Sequence, residues 1–110
     1  LNTAPADVLL LPMTDDLTPA INLSHRLRNA GIRVQLYAEQ KKFKAKMNYA
    51  DKLSIPYVVF LGEDEVSAGV CAVKDMTTGE QVKVSPAEAA DLIRAGVARR
   101  LSGTPIRDKV

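Results

Sequence analysis

Two short apolar runs constrain the fold of this chain more than any other feature of its sequence. The segments ADVLLLP (6–12) and PYVVFLG (56–62) contain one charged residue between them, Asp7. Such runs are typical of strands that are buried on both faces of a sheet, and this arrangement requires helices on each side. The two runs therefore predict a three-layer α/β/α domain.

Helical patterns alternate with these runs along the chain. Apolar residues at helical spacing predict one helix from about Thr18 to Gly31 and another across residues 43–53. The expected buried stripe of the second helix consists of Phe43, Met47, Ala50 and Leu53. Between the two helices, IRVQLY (32–37) alternates apolar and polar residues, which predicts a strand at the edge of the sheet.

The last third of the chain predicts a hairpin and a helix. The segments GVCAVKDM (69–76) and QVKVS (81–85) flank the turn sequence TTGE. Ser85 can cap a helix, Pro86 suits the first helical position, and Glu88 completes a capping box. The expected buried stripe of this helix is Ala89, Leu92, Ile93 and Val97. The resulting order, β-α-β-α-β-β-β-α, implies a five-stranded mixed sheet flanked by three helices, with the first three strands parallel.

Composition limits the classes of protein to which the chain can belong. Its 110 residues suffice for one domain, and a net charge of +2 with 25% charged residues excludes a polycation or an acidic disordered tail. A single cysteine, Cys71, allows no internal disulfide, and no cysteine and histidine set could close a zinc site. No apolar run approaches the roughly 20 residues of a membrane span, so we expect a cytoplasmic protein.

Residues that could carry catalysis are few. Neither G-x-G-x-x-G nor G-x-x-x-x-G-K-[ST] occurs, which disfavours nucleotide binding by either loop. The single histidine, His25, is expected to be an ordinary exposed helix residue. Cys71 lies in a strand pattern that is compatible with a buried inert thiol and with a nucleophile. We therefore expect no catalysis by this chain alone.

The strongest local charge feature is a lysine cluster at the start of the second predicted helix. It consists of Lys41, Lys42, Lys44 and Lys46, with Lys52 further on. The cluster follows the second strand and Glu63-Asp64-Glu65 follows the third, so both are expected at the carboxyl edge of the parallel strands, where ligands of such sheets usually bind. Taken alone, the lysines are more typical of a solvated helix face and the acids of a solubilising loop. Lysines can neutralise phosphates, and carboxylates beside them can accept hydrogen bonds from base amines. This combination fits a single-stranded RNA partner.

A longer stretch of the sequence resembles a known family. The segment KKFKAKMNYADKLSIPYVVFLGEDEVSAGVCAVKDMTTGEQVKV looks like the C-terminal anticodon-binding domain of histidyl-tRNA synthetase, a class IIa aminoacyl-tRNA synthetase. The segments YADK, IPYVV, GEDE and VKDMTTGEQ carry the likeness, which extends over about 6–101. We therefore predict a linker remnant at 1–5, an anticodon-binding domain at 6–101 and a C-terminal tail at 102–110.

The resemblance implies a partner and a set of contact residues. The partner is the anticodon stem-loop of tRNA(His), with no DNA and no membrane. By position, Gln40, Glu65 and Lys74 correspond to residues that meet anticodon bases in related domains; some relatives have arginine where this chain has Lys74. The expected contacts to the RNA backbone are Lys41, Lys42, Lys44 and Lys46. Tyr49 could stack on a base, although packing is the alternative for both Tyr49 and Tyr57.

The resemblance also implies what lies outside this domain. The parent synthetase would bind ATP and Mg²⁺ in a separate catalytic domain and would be a homodimer, whereas this domain would hold no cofactor and can be monomeric when isolated. Three alternatives remain. The fold could belong to another class IIa synthetase, it could be reused as a protein-interaction or regulatory module, or the chain could be a small stand-alone α/β enzyme.

Overall fold

The structure, a computed structural model, describes residues 4–39 and 41–102. Five strands and four helices follow one another within the described residues. They are β1 (Val8–Pro12), α1 (Thr18–Asn29), β2 (Val34–Leu36), α2 (Phe43–Lys52), β3 (Tyr57–Leu61), α3 (Glu63–Ala68), β4 (Cys71–Asp75), β5 (Gln81–Val84) and α4 (Pro86–Ser102).

The strands form one mixed sheet in the order β2-β1-β3-β4-β5. β1 pairs in parallel with both β2 and β3, whereas β4 is antiparallel to β3 and to β5. Both apolar runs are therefore central strands, and every residue of β1 and β3 is buried. The predicted parallel strands, edge strand and hairpin are confirmed.

Alternate residues of the sheet supply two separate cores. On one face, Leu10 and Val59 belong to a cluster with Leu27 of α1 and Ile93 of α4. On the other face, Leu9, Val58 and Phe60 cluster with Ala50 of α2. The three layers predicted from the apolar runs are thus α1 and α4, the sheet, and α2.

The charged residue of the first run, Asp7, is buried but fully paired. Its Oδ2 accepts from the backbone N–H of Arg33 at 2.9 Å, and its Oδ1 accepts from the Arg33 guanidinium at 2.9 Å. Arg33 also donates to the carbonyl of Ala4 at 3.1 Å. Because Arg33 immediately precedes β2, this ion pair fastens the start of β1 to the start of β2.

The expected number of helices was wrong: three were predicted and four are present in the described part of the chain. The additional helix, α3, occupies the acidic segment that the sequence indicated only as a polar loop. It has six residues, which is too short for a helical stripe to be recognised. Its three acidic residues in the first turn favour the helix through the macrodipole, and Gly69 ends it in the left-handed conformation at φ 70°.

Two of the predicted buried stripes also require correction. In α2, Lys46 and Ala50 are buried, whereas Phe43 is 47% exposed. In α4, Ala89 and Ile93 are buried as expected, but Leu92 is exposed. Gly96 is also buried, and the hydroxyl of Tyr57 occupies the space that a side chain at position 96 would fill.

The predicted start of α4 is confirmed in detail. Ser85 Oγ accepts from the backbone N–H of Glu88 at 3.1 Å, and Glu88 Oε1 accepts from the backbone N–H of Ser85 at 2.9 Å. This reciprocal pair is the capping box that the sequence indicated. It positions α4 directly after β5.

Candidate nucleic-acid interface

The carboxyl ends of the three parallel strands meet at one edge of the sheet. Phe43, at the start of α2, lies with its ring centroid 5.2 Å from that of Phe60, near the end of β3. Gly62 and α3 follow directly after β3. The start of α2 and the acidic segment are therefore neighbours at this edge, as the sequence predicted.

The lysine cluster is divided between solvent and core. Lys41, Lys42 and Lys44 are exposed, and nothing obstructs their use as phosphate contacts. Lys46 is only 7% exposed because it lies one turn before the buried Ala50, on the side of α2 that packs against the sheet. A backbone contact by Lys46 stays a prediction, and burial makes it the least accessible of the four lysines.

The carboxylate of Glu65 is held from two sides. Its Oε1 accepts from the backbone N–H of Gly62 at 2.8 Å, and its Oε2 lies 3.0 Å from Nζ of Lys83. The bond from Lys83, followed by the bond from Gly62, lowers the pKa of Glu65 below its ordinary value. Glu65 is therefore an oriented carboxylate, and its ionised form retains free lone pairs that can accept from a base amine.

Polar side chains continue this surface across the hairpin. Lys74 of β4 lies opposite Val58 of β3 and opposite Gln81 of β5. Lys74 and Gln81 are therefore on the face of the sheet that α2 covers. Lys83 lies on the same face, two residues beyond Gln81. We call Lys74, Gln81 and Lys83 the hairpin row. Lys74 is half-buried and the other two are exposed.

Two members of the hairpin row were missed in the sequence. Lys83 and Gln81 alternate with Val82 and Val84 in β5, and this alternation is the signal that could have placed them on one face. What the sequence did not contain is the partnership of Lys83 with Glu65, which joins residues 18 positions apart through tertiary structure.

The other predicted contact residues have separate placements. Tyr49 is half-buried, its ring centroid lies 4.9 Å from that of Tyr37, and its hydroxyl accepts from Nε2 of Gln35 at 2.8 Å. These interactions favour packing, and base stacking by Tyr49 stays a prediction. Tyr57 is buried, with the guanidinium of Arg100 5.6 Å from its ring centroid. Gln40 lies outside the described residues.

Cys71 and His25 line a cavity of about 480 Å³ on the opposite face of the sheet, between α1, α3 and the start of α4. Cys71 is completely buried, and this burial raises the pKa of its thiol to about 11. Burial therefore favours the neutral thiol over the thiolate that a nucleophile requires. His25 is exposed, as expected.

The described residues contain neither a membrane-spanning helix nor a cluster of metal ligands. No helix in this part of the chain has the length and apolar character needed to cross a membrane. Within residues 4–39 and 41–102, no group of three or more histidine, cysteine, aspartate or glutamate residues could hold a metal ion.

Comparison with known proteins identifies relatives of this chain. Residues 7–96 match the family described as "Anticodon binding domain". The chain is 39% identical over 89 residues to the histidine–tRNA ligase of Clostridium tetani, and this match covers 81% of the chain and 20% of the ligase. It is 42% identical over 81 residues to that of Porphyromonas gingivalis, covering 74% of the chain and 18% of the ligase.

Solved structures agree with these relatives. The crystal structure of histidyl-tRNA synthetase from Nostoc sp. PCC 7120 matches with a TM-score of 0.81 and 35% identity, covering 88% of this chain and 24% of that one. The resemblance and the α/β fold inferred from the sequence are thereby confirmed. The chain spans about one-fifth of the length of the ligases that it matches.

Proposed function

Because the chain belongs to the family of anticodon-binding domains, we propose that it binds the anticodon stem-loop of tRNA(His) and positions that tRNA for aminoacylation by a separate catalytic domain. Binding energy at the anticodon would be converted into orientation of the distant acceptor end. ATP and Mg²⁺ would act in that catalytic domain, in the cytoplasm, and the residues of this chain would contribute only RNA contacts.

One observation carries this proposal. The exposed lysines before α2, the oriented carboxylate of Glu65 and its partner Lys83 meet at one edge of the sheet, and Gln81 and Lys74 continue from Lys83 across the same face. Cations can neutralise phosphates there, while a carboxylate accepts from the exposed edge of an unpaired base. The choice of histidine among amino acids is supported by the relatives, which are histidine–tRNA ligases.

The proposal is tested by binding of the 110-residue chain to RNA hairpins. The hairpin that carries the tRNA(His) anticodon loop is compared with hairpins of identical stem and altered anticodon, and with the DNA hairpin of the same sequence. Titration followed by NMR detects weak complexes as well as tight ones. We expect the tightest binding to the histidine anticodon, localised to the edge that contains Glu65. Equal binding to every hairpin, or none to any, would contradict the proposal.

A further inference from the structure

Phe43 is the aromatic side chain that the fold leaves in solvent. All five aromatic residues of the chain lie in the part that the structure describes, and Phe43 alone is exposed, at 47%. Phe43 shares the face of α2 that contains the buried Ala50, but it is the first residue of the helix and remains exposed. We propose that Phe43 is a stacking platform for an unpaired base of the anticodon loop, an inference that rests on the proposed function.

The ring of Phe43 is supported from behind. Its centroid lies 5.2 Å from that of Phe60, with the two rings inclined at 43°. Phe60 is buried in β3, between Leu11 of β1 and Ala72 of β4. Tilted aromatic pairs at this separation are favourable, so Phe43 rests on a ring that the sheet holds in place. A platform of this kind loses little conformational freedom when a base stacks on it.

The charges around Phe43 match a nucleic acid strand. Lys42 and Lys44 flank it in sequence and are exposed, so phosphates on either side of a stacked base would meet cations. A row of paired residues runs from Phe60 through Ala72 to Lys83, which bonds to Glu65. Neighbouring strands lie about 4.8 Å apart, so the backbone at Phe60 is only about 10 Å from Lys83. The platform and the oriented carboxylate therefore lie along one short path.

The exposed apolar side chains of the opposite helix layer do not share this setting. Ile21 and Leu92 are aliphatic and belong to α1 and α4, in the layer on the other face of the sheet. Aliphatic side chains offer no π-face to a base. Stacking by Phe43 should be tolerant of base identity, since every base has a π-face, whereas reading by Glu65 should not be.

Fluorescence tests the placement of the base. The chain contains no tryptophan, so Phe43→Trp introduces a single reporter that preserves an aromatic ring. We expect the hairpin with the tRNA(His) anticodon loop to quench the fluorescence of this tryptophan. In a series of hairpins that each lack one loop base, the hairpin without the stacked base should leave most of the fluorescence unquenched. Ile21→Trp is the matched control and should not respond. Quenching that is equal across the whole abasic series would overturn the inference.

Affinity provides the second measurement. Phe43→Leu keeps an apolar side chain but removes the ring, and should weaken hairpin binding by about fivefold to a hundredfold without changing the dependence on salt. The same weakening is expected for every anticodon sequence. If the chain binds the hairpin and Phe43→Leu binds equally well, the platform is refuted and the proposed function stands; if the unaltered chain binds no hairpin, both fail.

Discussion

At the scale of single residues, Glu65 has a structural role besides the base reading proposed for it. Its bond from the Gly62 N–H begins α3, and its ion pair with Lys83 ties α3 to β5. The Lys83 side chain is 60% exposed, so the pair itself contributes little stability. Its effect is to fix the orientation of the carboxylate, whose side chain is 15% exposed.

Exchange of Glu65 for glutamine should distinguish base reading from anchoring. Glu65→Gln keeps an oxygen for the Gly62 N–H but removes the charge. If the carboxylate reads a base, binding of the cognate hairpin should fall by about fivefold to a hundredfold, with little change for altered anticodons and an unchanged salt slope. Lys83→Met, measured in the same titration, is the control. Lys83→Met removes the cation that orients the carboxylate, so a smaller selective loss is expected there. An equal loss for cognate and altered anticodons in Glu65→Gln would contradict base reading by Glu65.

At the scale of elements, α2 places different chemistry on its two sides. Lys42 and Lys44 face solvent, whereas Lys46 and Ala50 face the sheet. A long lysine stem can cover apolar surface while its amino group reaches toward water, which explains how a charged residue takes a packing position. The lysine cluster therefore contains three exposed cations, Lys41, Lys42 and Lys44, and one residue that packs against the sheet, Lys46.

Removal of the exposed cations should reduce binding without regard to sequence. The double variant Lys42→Ala and Lys44→Ala is expected to weaken binding to all hairpins and to flatten the slope of log K against log salt by about 0.7 to 0.9 for each phosphate that is no longer neutralised. Lys46 is left intact because its replacement would also disturb packing. The matched control is Arg26→Ala with Arg94→Ala, two exposed arginines of α1 and α4. An identical change in slope for both pairs would indicate that only net charge matters.

At the scale of the whole molecule, carboxylates at the starts of three helices link stability to pH. Backbone N–H bonds from Thr18 and Ser85 lower the pKa of Asp16 and Glu88, respectively, and the bonds from Lys83 and Gly62 lower that of Glu65. In each case the folded state favours the ionised form. The stability that these groups contribute is fully present above their unfolded pKa values, about 4, and is lost as the pH falls through the lower folded values.

Thermal unfolding should therefore depend on acid in a defined window. We expect the melting temperature, followed by circular dichroism, to be nearly constant from pH 7 to about 5.5 and to fall below about pH 4.5. Glu88→Gln removes one of the three groups and should make the acid decline shallower while lowering stability at neutral pH. An unchanged acid decline in this variant would show that the capping box does not contribute to the pH dependence.

Much of the molecule was determined locally and could be predicted from the sequence. The two apolar runs became the central strands because burial on both faces selects against charge, and Ser85, Pro86 and Glu88 began α4 because capping involves only neighbours in the chain. The position of the lysine cluster and acids at one edge followed from parallel pairing alone. These features depend on periodicity and on interactions between residues close in sequence.

Other features were decided only by the tertiary structure. Helical spacing assigns Phe43 to the buried side of α2, but Phe43 is the first residue of the helix and remains 47% exposed, whereas Lys46 is buried. The pairing of Glu65 with Lys83 and the need for glycine at position 96 beneath Tyr57 join elements that are distant in the chain. A sequence pattern records which residues share a face, whereas how much of that face the sheet covers depends on the packing of all layers together.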